Sequence, residues 1–85
     1  MTATIESLVV MFDETTAAAF VRIVNAVLCS KNEEALRKIL KIYTEKNHID
    51  HYFKWGFGSS HFWVHQLIEP NSDQVLDGRV LLVRF

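Results

Sequence analysis

His51-Tyr52-Phe53-Lys54-Trp55-Gly56-Phe57-Gly58-Ser59-Ser60-His61-Phe62-Trp63-Val64-His65-Gln66-Leu67-Ile68 is the stretch whose reading decides the fold. Two aromatic-rich runs flank Gly58-Ser59, and a Gly-X pair in a two-residue loop is the signature of a type II′ hairpin. Closing the hairpin with Phe57 opposite Ser60 sets Trp55 across from Phe62 and Phe53 across from Val64. One face then carries Phe53, Trp55, Phe57, Phe62, Val64 and Ile68, interrupted only by Gln66. The other carries Tyr52, Lys54, Gly56, His61, Trp63, His65 and Leu67. A three-residue loop pairing Phe57 with His61 would instead mix imidazoles with large apolar groups on both faces. A one-residue slip exchanges the faces of a strand, so the cleaner partition decides for the two-residue turn. That register predicts a buried Trp55 and a markedly more exposed Trp63. It also places Lys54 directly opposite Trp63, where a cation–π contact is worth about 0.5–1 kcal/mol when exposed.

On the C-terminal side, Pro70-Asn71-Ser72-Asp73 reads as a surface loop. Asp77-Gly78 is a type I′ hairpin signal, and Val80-Leu81-Leu82-Val83-Arg84-Phe85 reads as an inner strand. On the N-terminal side, Ser30-Lys31-Asn32-Glu33 matches the capping box and predicts a helix opening there, with Asn32 as a rival cap two residues on. Its apolar stripe is Leu36, Ile39, Leu40, Ile42 and Tyr43, and it ends near Lys46-Asn47. Glu33/Arg37, Glu34/Lys38 and Lys41/Glu45 stand at i,i+4 spacing on its other side. Before it, Asp13 is a good N-cap for a helix from Glu14 to Cys29, with Ala17, Phe20, Val21, Ile23, Val24, Val27 and Leu28 on the apolar side. Leu8-Val9-Val10-Met11-Phe12 is an apolar run that reads as a buried strand beginning near Thr4.

These elements give the order β-α-α-β-β-β, with room for a short extra strand near 74–76. The expected fold is a single α+β domain over residues 1–85: a two-layer sandwich with two helices on one face of an antiparallel-rich sheet. The other face must be solvated or covered by another molecule.

Composition narrows the function. Of the 85 residues, 49% are hydrophobic and 12% aromatic, rich for a chain that buries only about 60–65% of its unfolded surface. The net charge of −1 argues against broad phosphate binding, which needs a basic field. Cys29 is the only cysteine, so an intramolecular disulfide is excluded and a reducing compartment is the simplest reading. Met1 to Glu6 lacks the basic region of a secretory signal, and the apolar stretch from Ala17 to Cys29 falls short of a membrane span. A cytoplasmic location without membrane contact follows as the expectation.

Catalytic and cofactor chemistry find little support. His61 and His65 share a strand face, but their Cα atoms lie roughly 13 Å apart, too far to share one zinc ion without distorting the strand. His48 and His51 could converge only through a turn. Cys29 sits at a helix C-terminus, where the dipole disfavours a thiolate, and reads as a small core residue. Glu6, Asp13, Glu14, Asp50 and Glu69 are scattered, and neither a phosphate-loop nor a dinucleotide motif occurs. No catalytic residue, metal or cofactor is expected.

Tyr and Trp concentrate at interface hot spots. The expected function is therefore protein binding by an adaptor, inhibitor or regulator, a class common among accessory proteins of phages and mobile elements. Tyr52, Lys54, His61, Trp63 and His65 are the expected partner surface. Small and apolar residues around most of the first helix, including Ala18, Ala19 and Ala26, add the expectation of a homodimer. The alternative is a single-stranded nucleic-acid binder using the same face, with Tyr52 and Trp63 as stacking platforms. A small enzyme or nucleotide-binding protein stands third.

Overall fold

The computed structural model describes residues 4–8, 13–30, 32–77 and 80–85. The fold is α+β in the order β1 (Thr4–Leu8), α1 (Glu14–Cys29), α2 (Glu33–Asn47), β2 (Phe53–Phe57), β3 (His61–Gln66) and β4 (Leu81–Arg84), with one 3-10 turn at Ile49–His51. The chain divides into two compact units, a helical one within 12–49 and a sheet unit within 2–11 and 50–85.

In the helical unit, Asp13 caps α1. Its Oδ1 accepts the backbone N–H of Thr16 at 2.7 Å, and that bond, with the Thr16 hydroxyl, holds the Asp13 carboxyl below its ordinary value. Ser30 does not open the second helix. Its hydroxyl donates to the Val27 carbonyl at 2.7 Å and closes α1, while Asn32 caps α2 by accepting from the Ala35 N–H at 2.8 Å. His48 ends α2 in the left-handed region (φ 53°), its N–H donating to the Thr44 carbonyl.

Burial on α1 follows Thr16, Ala19, Phe20, Ile23, Ala26 and Val27, so small residues are buried while Val21 and Leu28 are 53% and 66% exposed. On α2, Leu36 and Leu40 are buried and Ile42 is exposed, outside the stripe expected to cover it. Cys29 is exposed rather than a core residue. Glu33–Arg37 and Glu34–Lys38 form ion pairs at 2.8 and 3.7 Å. Lys41 and Glu45 form none among the described residues.

The sheet runs β1-β4-β3-β2, antiparallel throughout, with an irregularity in β1 between Ile5 and Ser7. Only the start of the expected first strand is described; Val9 to Phe12 lie outside the described residues, as does the Asp-Gly turn at Gly78. Residues 74–76 form no strand, only a single bridge between Val75 and Leu67. Pro70 and Asn71 occupy the corners of a turn in which the Ser72 N–H donates to Glu69. The left-handed Asn71 (φ 64°) after proline is the type II pattern.

The hairpin differs from the expected register. Phe57 pairs with Phe62, Gly56 with Trp63, Trp55 with Val64, Lys54 with His65, and Phe53 with Gln66. The turn has moved by one residue and every pairing by two, so the faces keep their membership. Gly58 donates its N–H to His61 at 2.8 Å, and neither Gly58, Ser59 nor Ser60 has a positive φ, so the type II′ turn is not formed. The physical reason lies on the outer face. A Cβ on Gly56 would stand 2.6 Å from Cζ2 of Trp63, and one on Gly58 would overlap the His61 imidazole. The observed register gives each ring a glycine to lie against, where the shorter loop would have set Trp63 against Lys54.

On the inner face, Phe53, Phe62 and Val64 are buried. Trp55, Phe57 and Phe62 form a ring cluster with centroids 5.1–6.1 Å apart. Trp55 is only half-buried, as is Trp63, so the expected contrast in exposure between the two tryptophans does not hold. Ile68, expected on the inner face, lies beyond the strand and is exposed; Leu67, expected outside, is buried.

Candidate functional site

β4 is buried at Leu81, Leu82 and Val83 alike, so on this strand both faces are covered. The open part of the outer face is therefore the β2–β3 half. Alternation along β3 projects His61, Trp63 and His65 to this side, and Lys54 joins them from β2 opposite His65. Trp63 and His65 meet edge to face, with centroids 5.1 Å apart and an interplanar angle of 66°. Lys54, His61, Trp63 and His65, with Val75 from the following loop, line an open concavity of about 310 Å³.

Four of the five residues expected from sequence thus converge on one site. Tyr52 does not. It precedes β2, is half-buried beside His51 with ring centroids 6.4 Å apart, and is not among the lining residues. The expected pairing of Lys54 with Trp63 is also replaced, since His65 stands opposite Lys54.

Two contributors were missed in the sequence. Val75 reaches the concavity through the single bridge to Leu67, which carries no periodic signal. Arg84 is the cross-strand partner of His61, so it shares this face and is exposed. The alternation of Lys54, Gly56 and Gly58 opposite the outer rings of β3 was the available clue to the true register.

The electrostatics of the face are one-sided. The strands β2, β3 and β4 contain no aspartate or glutamate. All ten acidic residues of the chain lie elsewhere. Among the described residues, Lys54 has no ion-pair partner, and neither the His61 imidazole nor the Trp63 indole N–H has a hydrogen-bond partner. A separate groove of about 370 Å³ lies beside β2 and is lined by Asp50, Phe53, Lys54, Trp55, Leu67 and the Asn71–Asp73 turn. Lys54 stands between the two.

Among the described residues, no group of three or more His, Cys, Asp or Glu could hold a metal ion. No described helix is long and apolar enough to cross a membrane.

Fold and site together define a small α+β domain with one aromatic, donor-rich patch on its sheet. Residues 1–83 match the family model described as "Domain of unknown function (DUF8466)", and the chain belongs to that family. No curated protein and no solved structure matches it.

Proposed function

We propose that this protein is a protein-binding module, an adaptor, inhibitor or regulator without catalytic activity, acting in the cytoplasm through the outer face of the β2–β3 hairpin. The observation that carries the reading is the convergence of Lys54, His61, Trp63 and His65 on one open concavity. Tryptophan is among the residues enriched at the centres of binding interfaces, where a large rigid ring buries much area at little entropic cost. A solvated sheet face with no partner has no need of a tryptophan flanked by two imidazoles. Tyr52 does not line this concavity and is left out of the proposed surface.

A tagged wild-type chain and a Trp63→Ala chain, used as parallel baits in the native host with mass-spectrometric readout, test this reading. A partner retained by the wild type and lost by the variant supports it. Equal recovery by both baits places the binding surface elsewhere.

The helical unit supports a second association. Val21 and Leu28, seven residues apart and so on one side of α1, are exposed, as is Ile42 on α2. A second copy of the chain is the partner proposed for this apolar stripe, with two-fold symmetry as the default arrangement. Light scattering at micromolar concentration should give twice the 9.8 kDa monomer mass. A concentration-independent monomer mass contradicts it.

A further inference from the structure

We infer that the concavity lined by Lys54, His61, Trp63, His65 and Val75 receives an acidic side chain from an extended segment of the partner protein. This rests on the protein-binding reading above and adds the chemistry of the group that is bound.

Charge complementarity is the first support. Lys54, His61, His65 and Arg84 share the outer face of three strands that carry no carboxylate. Such a face offers several donors and no anionic acceptor from its own strands. The ammonium of Lys54, the imidazole of His61 and the indole N–H of Trp63 have no polar partner among the described residues. A carboxylate offers two oxygens and about four lone-pair sites, and it takes charge-assisted bonds from this kind of donor set.

Shape is the second support. About 310 Å³ is at the lower end of ligand-pocket volumes and suits one or two side chains, not a long polymer. Trp63 and Val75 form apolar walls that can cover the methylene stem of a glutamate while its head meets Lys54. The adjoining groove carries Asp50 and Asp73, which repel an anion, so the carboxylate is directed to the outer concavity.

A nucleic acid is the poorer fit. Single-stranded binders combine stacking rings with a basic groove that tracks the backbone over several nucleotides. Here the described outer face carries only Lys54 and Arg84 as permanent cations, on a chain whose net charge is −1.

The test is panning a display library of random linear peptides on the full chain at physiological salt. The selected peptides are then titrated by fluorescence anisotropy, with fluorescein-labelled oligothymidylate and oligouridylate as nucleic-acid probes. Enrichment of aspartate or glutamate is expected, with affinity falling about tenfold when that acid becomes alanine or when Lys54→Glu reverses the exposed cation. Lys54→Glu should leave the melting temperature unchanged, which separates the effect from misfolding. Peptides without an acidic preference that still need Trp63 would overturn this inference and leave the protein-binding reading standing. Oligonucleotide binding without peptide binding, or no binding of either, would overturn both.

Discussion

Trp55 and Trp63 stand on neighbouring strands of one hairpin, both half-buried, and are held in opposite ways. Trp55 packs large group on large group, against Phe57 and Phe62. Trp63 lies against a glycine, Gly56, and meets His65 edge to face. The first arrangement packs aromatic rings against one another on the inner face. The second fixes a ring in place while its N–H and the nearby Lys54 ammonium have no polar partner among the described residues. The difference separates two half-buried tryptophans by their surroundings, and on the proposed function the first serves stability and the second recognition.

The comparison breaks most visibly on the inner side. Phe62 is fully buried and central to the ring cluster, so Phe62→Ala should cost about 3–5 kcal/mol, enough to unfold a domain of this size. Urea denaturation measures it, and a loss below about 1 kcal/mol would mean that this face is not the core. Next comes Gly56→Ala. Its methyl would meet the Trp63 ring at 2.6 Å, so a cost of about 1–3 kcal/mol is expected. Adding Trp63→Ala should return most of that loss, since the clash partner is gone, and a double-mutant cycle with no coupling would contradict the ring-on-glycine register. The smallest effect lies in the helical unit. Asp13→Ala removes the α1 cap and should lower the melting temperature by a few degrees, with Asp13→Asn close to the wild type. Because folding lowers the Asp13 pKa, its contribution is present above the ordinary carboxylate value of 3.8 and is lost as pH falls through the folded value. The acid sensitivity of the melting temperature should therefore be weaker in Asp13→Ala than in the wild type. Equal slopes would remove the cap from the account.

Much of the fold was legible because it rests on local rules. Asp13 as a cap, the bounds of α1, the end of α2 and the β-α-α-β-β-β order all follow from periodicity and capping chemistry. The division of the hairpin into faces survived a wrong turn because a shift of two residues preserves parity. What local rules missed came from contacts distant in sequence. The choice between Ser30 and Asn32 as cap depended on Ser30 being already engaged by Val27. The burial of Ala19 and Ala26 in place of Val21 and Leu28 reflects tertiary packing that a hydrophobicity count ranks the wrong way. Four residues of the candidate concavity were legible as sharing a face because strand alternation puts them on one side of β2 and β3. Arg84 needed the β3–β4 register, and Val75 needed a lone bridge, neither of which leaves a pattern in the sequence.

The central claim is that the outer face of the hairpin binds and its inner face folds, and the two tryptophans test it side by side. Trp63→Ala and Trp55→Ala should be compared for partner affinity and melting temperature in the same preparation. The account predicts that Trp63→Ala weakens binding by at least about thirtyfold, the usual loss for a hot-spot tryptophan, while the melting temperature falls little. Trp55→Ala should chiefly lower the melting temperature. Full binding by a folded Trp63→Ala protein would contradict the claim.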